Sequence, residues 1–148
     1  MVVAGLIIGY NWGATPRLKG TITGVRTLGM DGSSSVAIVN FEALNSSNYE
    51  LWINRRELAI IDQEGNPLDG RILSVFDIQQ LFKYFPALGG MRDEPLIDNQ
   101  HLEPGKSVRG LVAARFEVPK HELDMRRELV FRTVDNKNRK TALRLESQ

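Results

Sequence analysis

The sequence predicts an all-β protein, an antiparallel β-sandwich of about seven to eight strands with one short inserted α-helix at Asp77 to Phe85. Three observations lead there. Short runs of alternating apolar and polar residues recur along the chain, turn-forming residues separate them at fairly even spacing, and one stretch changes from period two to helical spacing. The chain of 148 residues is long enough for a core without metal or disulfide staples, and it reads as one sandwich domain over residues 17–148.

The pattern is clearest from Leu102 to Val118, LEPGKSVRGLVAARFEV. Pro104-Gly105 is a turn signal, because proline presets φ at the second position of a type II turn and glycine accepts positive φ at the third. In the strand that follows, Val108, Gly110, Val112, Ala114, Phe116 and Val118 share one face. Ser107, Arg109, Leu111, Ala113, Arg115 and Glu117 share the other, which is expected to lie mostly in water. Gly110 and Ala114 are small, so a bulky group is expected above them, and the helix with Phe82 and Phe85 is a candidate. Pro119 ends the strand, since it has no N–H to give to a ladder.

The remaining elements follow in order. Leu18 to Val25 alternates as a first strand, and Met30-Asp31-Gly32-Ser33-Ser34 carries the Asp-Gly signal of a hairpin. A second strand runs from Ser35 to Leu44. Ala37, Val39, Phe41 and Ala43 lie on one face while Val36 and Ile38 lie on the other, so its beginning is expected to be covered on both sides. Asn45-Ser46-Ser47-Asn48 is a turn by composition. Tyr49, Leu51 and Ile53 alternate with Glu50, Trp52 and Asn54 as a third strand, and Leu58 to Ile61 reads as a further short one. Asp62 to Pro67 is a loop, and Leu68 to Val75 is expected to return beside Leu58 to Ile61.

For the helix, Asp77 is the expected cap, Gln80 completes a capping box, and Phe76 and Leu81 occupy the positions of a hydrophobic staple. Ile78, Leu81, Phe82 and Phe85 share one face, and Pro86 stops the helix. Such a helix fits over an open end of the sandwich, and the alternative use is docking through Phe82, Tyr84 and Phe85. Ala87 to His101 has no clear period. Its acids, Asp93, Glu94 and Asp98, lack the spacing of a calcium loop. Lys120 to Arg127 reads as a polar corner. Glu128 to Val134 is a strand with Leu129 and Phe131 inward, Asp135-Asn136-Lys137-Asn138 is a hairpin loop, and Thr141, Leu143 and Leu145 face the core from the last strand.

Composition removes more functions than it supplies. Lysine and arginine number 19 against 18 acidic residues, for a formal net charge of +1, which gives no strong pull toward nucleic acid or anionic lipid. The absence of cysteine removes thiolate nucleophiles and thiolate metal sites and leaves the compartment open. The apolar segment over residues 1–16, with Val2 to Ile8 leading into Tyr10 and Trp12, has three readings. It is the end of a membrane anchor or signal whose start lies upstream, a short N-terminal strand, or an apolar tail. A bilayer-spanning helix needs about 20 residues, and Arg17 and Lys19 argue mildly against export.

No GxSxG, HExxH or phosphate-binding glycine loop occurs. His101 and His121 stand in polar loops without a spacing partner. Trp52 falls on the polar-marked face, where packing against a neighbouring loop is weighed against a binding anchor. Lys137, Arg139, Lys140, Arg144 and Arg126-Arg127 are interleaved with Asp124, Glu128, Asp135 and Glu146, a solvated mixed face rather than a nucleic-acid patch. No catalytic, metal or cofactor site is expected.

The order of the turn Asn45 to Asn48, then Glu57-Leu58, Asp62 to Gly70, and Pro104-Gly105-Lys106 ahead of Gly110 and Phe116 resembles bacterial extracytoplasmic immunoglobulin-like domains over about Leu18 to Leu145. The resemblance implies an immunoglobulin-like sandwich behind an N-terminal membrane anchor and carries no catalytic motif. The expected function is therefore a non-enzymatic module acting by protein–protein or envelope contacts, with no nucleic-acid partner and possible membrane contact through the N-terminal segment. The alternative is a small-ligand or carbohydrate-binding domain that uses the sandwich end near the helix and the loop 87–101.

Overall fold

The structure, a computed structural model, describes residues 6–8 and 18–146. The first sheet contains β1 (Leu6–Ile8), β4 (Leu51–Ile61), β5 (Pro67–Asp69), β8 (Gln100–Leu102), β10 (Glu128–Asp135) and β11 (Lys140–Glu146). Its order is β1-β11-β10-β4-β5, with β8 also beside β4. The second contains β2 (Leu18–Asp31), β3 (Ser34–Asn45), β6 (Arg71–Ile72), β7 (Glu94–Pro95) and β9 (Ser107–Phe116), in the order β2-β3-β9-β6 with β7 also on β9. Pairing is antiparallel among the described strands except for β7 on β9.

The inner faces of the two sheets meet in one core. Val39, Phe41, Val112 and Phe116 of the second sheet pack with Leu58, Ile60, Leu129, Phe131 and Leu143 of the first, so the architecture is a β-sandwich. Phe41 and Phe131 touch across it with ring centroids 4.8 Å apart, an offset geometry that aromatic pairs favour. The bulky group over Gly110 is Phe41, its partner in the β3–β9 register. A Cβ on Gly110 would lie 2.8 Å from Phe41 Cζ. Gly70 serves the second close approach: its Cβ would meet Phe116 at 2.7 Å and Ala114 at 2.8 Å. There the chain leaves β5 in one sheet and enters β6 in the other.

The two turns singled out in the sequence meet each other. Gly105 has φ 71° and Lys106 N donates to Glu103 O at 3.1 Å, the geometry of a turn with glycine third. The backbone of Asn45 pairs with Gly105 and Lys106, and its side-chain amide donates to Tyr49 O and Leu102 O at 2.9 and 2.8 Å. Asn45 is fully buried, so these bonds satisfy a group that would otherwise be costly there.

Several boundaries differ from the sequence reading. Residues 51–54 and Leu58–Ile61 belong to one strand, β4, which β10 pairs from Ile53 to Ile61 with a bulge at Val134/Asp135, while Tyr49 and Glu50 precede the strand. Leu68–Val75 does not return as one strand, because Gly70 divides it between the sheets. The loop 87–101 contains β7 and the start of β8, and Lys120–Arg127 contains a short helix, α2 (Lys120–Asp124), formed because Leu123 is fully buried in the core. Thr27 Oγ1 donates to Asp124 at 2.5 Å and Lys120 Nζ pairs with it at 2.7 Å, which fastens α2 to β2. Burial works against the Asp124 charge, but these bonds outweigh it and hold the carboxyl below its usual range.

The inserted helix, α1, spans Val75–Tyr84. Its N-cap is Ser74, whose Oγ accepts from Asp77 N at 3.1 Å, and Asp77 sits inside the first turn instead of capping it. Phe76 is 65% exposed and forms no staple. The helix lies on the outer face of the second sheet, not over the end of the sandwich: Ile78 and Leu81 pack on Val36, Ile38, Leu111 and Ala113. The face of β9 expected in water is therefore dry at Leu111 and Ala113, and Gly110 and Ala114 lie on the opposite side from α1.

Leu6–Ile8 pairs with β11, Leu6 opposite Arg144 and Ile8 opposite Ala142, which is the short-strand arrangement for those residues; the rest of the apolar segment lies outside the described residues. No helix among the described residues is long and apolar enough to cross a membrane.

Gly110→Ala is expected to destabilise the fold by about 1–3 kcal/mol in urea denaturation, the cost of overpacking a filled core. In the Phe41→Leu background, where the ring's far end is gone, the same change is expected to cost under about 1 kcal/mol. Equal costs in both backgrounds would contradict the packing.

Candidate functional site

The outer face of the second sheet is where side chains converge, and the register shows why. Along β3 the outward positions are Val36, Ile38, Asn40 and Glu42, facing Arg115, Ala113, Leu111 and Arg109 of β9. On the other side Leu28 faces Val36, Arg26 faces Ile38 and Gly24 faces Asn40. The apolar half is covered by α1. The polar half begins at Asn40 and stays open.

Arg26 joins the two halves. Its Nη1 donates to Leu88 O at 3.0 Å and Gly90 O at 2.6 Å, and its Nη2 donates to Asn40 Oδ1 at 2.9 Å and Met91 O at 3.2 Å. The guanidinium also lies 4.9 Å from the centre of the Phe82 ring, a cation–π contact. One side chain thus ties β2 to β3, to α1 and to the chain leaving the 3-10 turn Pro86–Leu88. Asn40 extends the network: its Nδ2 donates to Asp93 Oδ2 at 2.9 Å. The largely buried Asp93 carboxylate lies 3.5 Å from Arg109 Nε. Burial, then repulsion from Arg92, pushes the Arg26 guanidinium below its usual range, and Asp93 works in the opposite direction. Arg92 itself has φ 69°, left-handed backbone that costs a non-glycine residue about 1 kcal/mol.

Several openings lie around this network. A cleft of about 190 Å³ is lined by Thr23, Gly24, Arg26, Asn40, Arg92 and Arg109, with Asp93 in its wall. Beside α1 a groove of about 310 Å³ is lined by Met30, Val36, Leu73, Leu81, Tyr84 and Phe85. Arg71, Arg115, Asp77 and Gln80 supply its polar atoms. Arg71 stands opposite Arg115 in the β6–β9 register, so both side chains leave the sheet on the same side. Arg115 is engaged by Ser34 at 3.0 Å and Glu117 at 3.2 Å. Tyr84 is 65% exposed. This assembly can hold an apolar group next to an anionic one.

Tyr84 and the first part of the loop 87–101, singled out in the sequence, lie on this outer face rather than at the sandwich end, and they line different openings. Trp52 and His101 are elsewhere, on the first sheet. Trp52 stacks on His101 at 4.6 Å, its Nε1 donates to Glu50 Oε1 at 2.8 Å, and His101 Nδ1 lies 3.4 Å from the same oxygen. Trp52 therefore packs against the neighbouring β8. His121 sits on α2 beside the Asp62–Asn66 turn, far along the chain from any second histidine. Of the basic residues near the last hairpin, Arg144 pairs with Glu128 at 2.7 Å, Lys137 lies over the Tyr49 ring, and Arg126 and Arg127 donate to Leu123 O and Gln63 O. No group of three or more His, Asp or Glu side chains among the described residues is placed to hold a metal ion.

The network of Arg26, Asn40, Asp93 and Arg109 was missed in the sequence. Its members come from β2, β3, the loop before β7 and β9, and only the register brings them together. The available signal was Asn40, a polar residue inside the run Val36 to Phe41.

No protein-family model and no curated protein matches the chain. Among solved structures it is similar to a conserved hypothetical protein from Bacillus anthracis, with 15% identity and a TM-score of 0.45 over 95% of this chain and 97% of that one. It is also similar to an uncharacterized beta-sandwich protein from Clostridium difficile 630, with 10% identity and a TM-score of 0.43 over 90% of this chain and 88% of that one. Neither likeness assigns a role to a residue.

Arg26→Met keeps the apolar stem and removes the guanidinium. It is expected to lower stability by about 1.5–3 kcal/mol, the range for hydrogen bonds to charged groups, and to speed amide exchange across residues 88–91. A loss under about 0.5 kcal/mol with exchange unchanged would show that Arg26 does not hold this segment.

Proposed function

We propose that the protein is a non-enzymatic β-sandwich module of immunoglobulin-like type, exported or anchored on the outer side of a bacterial membrane, that acts by binding a protein partner. The binding surface is the groove beside α1, and the partner segment is extended, apolar and acidic. The observation that supports this reading is the pairing of exposed Tyr84, Phe85 and Met30 with Arg71 and Arg115 around one groove. Exposed aromatic side chains supply contact area and arginine supplies directed donors for carboxylates. The titratable groups lining the groove are Arg71, Arg115, Asp77 and Tyr84, a set suited to recognition rather than to a nucleophile–base pair.

A second reading is favoured by one feature of the same groove. Tyr84 lines a concavity with Gln80 and Asp77, a combination that also suits a small polar ligand such as a saccharide.

Nuclear magnetic resonance titration of the labelled protein separates the two. A synthetic peptide alternating leucine or phenylalanine with glutamate is expected to shift signals of Met30, Leu73, Tyr84 and Phe85. The same peptide with lysine in place of glutamate is not. Tyr84→Ala and Arg71→Glu, both at exposed positions, are each expected to weaken binding about tenfold or more, equivalent to about 1.4 kcal/mol, without changing the melting temperature. Equal binding of the lysine peptide would sink the partner reading, and shifts at these residues with oligosaccharides alone would replace it with the second.

A further inference from the structure

We propose that the cleft between β2, β3, β9 and the segment before β7 is a binding site for a small tetrahedral oxyanion, a phosphate or sulfate group. This site is separate from the groove beside α1 and does not depend on the reading given to that groove.

The charges of the cleft are unevenly used. Asp93 is the carboxylate in its wall, and it is already occupied by Asn40 Nδ2 at 2.9 Å and Arg109 Nε at 3.5 Å. Arg26 is spent on Leu88 O, Gly90 O, Met91 O and Asn40 Oδ1. Its charge remains, however, and it stands near enough to Arg92 for the two to repel each other. Arg109 is 67% exposed at its side chain and touches Asp93 through Nε. Glu42 is the other acid on this face, opposite Arg109 in the ladder, and it is exposed. The lining of the cleft itself carries Arg26, Arg92 and Arg109 against Asp93 alone, while Glu94 lines the adjoining opening with Arg92, and a bound anion would relieve the repulsion between Arg26 and Arg92.

The backbone makes room in the same place. β2 is bulged between Ile22 and Gly24, which puts Thr23 out of the ladder at the mouth of the cleft. A Cβ on Gly24 would meet nothing within 4 Å, so the space beside it is free for a ligand. The cleft is lined from β2 by Thr23, from β9 by Arg109 and from the loop by Arg92, each of which carries a side-chain donor. Converging donors from different elements suit a tetrahedral anion better than a planar one. Arg92 is held on left-handed backbone, where glycine would be easier. Strain of this kind gathers at ligand-binding positions, where the side chain gives back what the backbone loses.

The test uses the whole chain at constant ionic strength, with inorganic phosphate, sulfate, acetate and phenyl phosphate added in turn and followed by nuclear magnetic resonance. Phosphate and sulfate are expected to shift the amides of Thr23, Gly24, Arg92 and Asp93 and the Nε signals of Arg92 and Arg109 with saturation. Acetate is expected to bind at least about tenfold more weakly. Arg92→Gly is expected to abolish saturation while leaving the melting temperature equal or higher, and Arg71→Glu to leave binding unchanged. Tighter binding of phenyl phosphate would support an esterified phosphate as the natural group, and equal binding a free anion. Shifts spread over all arginine signals without saturation, acetate binding as well as phosphate, or full binding by Arg92→Gly would overturn the proposal.

Discussion

Over its first half, Ser34 to Val39, strand β3 has water on neither side. Val36, Ala37, Ile38 and Val39 are successive residues and each is at most 2% exposed, although their side chains point alternately to opposite faces of the sheet. One face is closed by the other sheet and the other by α1. An antiparallel sheet ordinarily leaves one face to solvent, so the apolar side chains on both faces of β3 demand a second cover. The connection from β6 to β7 supplies it. Both short strands lie on β9, and α1 spans the interval between them with Ile78 and Leu81 turned to the sheet. Burying each of these side chains contributes about 1.5–3 kcal/mol, enough to decide where a helix of ten residues rests.

The polar edge of this covered face follows from its apolar centre. Where α1 ends, the chain must turn away from the sheet, and its carbonyls at Leu88, Gly90 and Met91 would otherwise face a partly dry corner. Arg26 meets these carbonyls while its stem lies on the sheet, a division of labour suited to a long side chain with a charged end. The groove lies beside α1, and the cleft lies past it, where the segment after the helix meets β2, β3 and β9. Both are rimmed by arginine, because Arg71 and Arg115 face outward at one end of the sheet and Arg26 and Arg109 at the other.

Much of this was legible in the sequence, and the misses have physical causes. Val36 and Ile38 against Ala37 and Val39 gave the two-sided burial of β3. Leu111 and Ala113 did not give it for β9, because Arg109, Arg115 and Glu117 share their face and mark it as wet; β9 changes from wet to dry within one face as α1 begins. In the sequence Gln80 points to Asp77 as the cap, because the two complete a capping box. Ser74 wins because capping at Ser74 leaves Val75–Asp77 free to form the first turn. The Asp62–Pro67 loop, the Asp31-Gly32 hairpin and the Pro104-Gly105 turn were readable because their residues act through local backbone geometry. The arginine network was not, because Arg26, Asn40, Asp93 and Arg109 are neighbours only through strand register.

With the helix as the missing layer of β3, α1 and the second sheet are expected to open as one cooperative unit. Native-state hydrogen exchange tests it most directly, by comparing the opening free energies of amides in α1, such as Leu81 and Phe82, with those of Val36 to Phe41 in β3. Both groups are expected to exchange through the same large opening, with equal dependence on denaturant. Exchange of α1 through a small local opening, while β3 remains protected to the global limit, would contradict it.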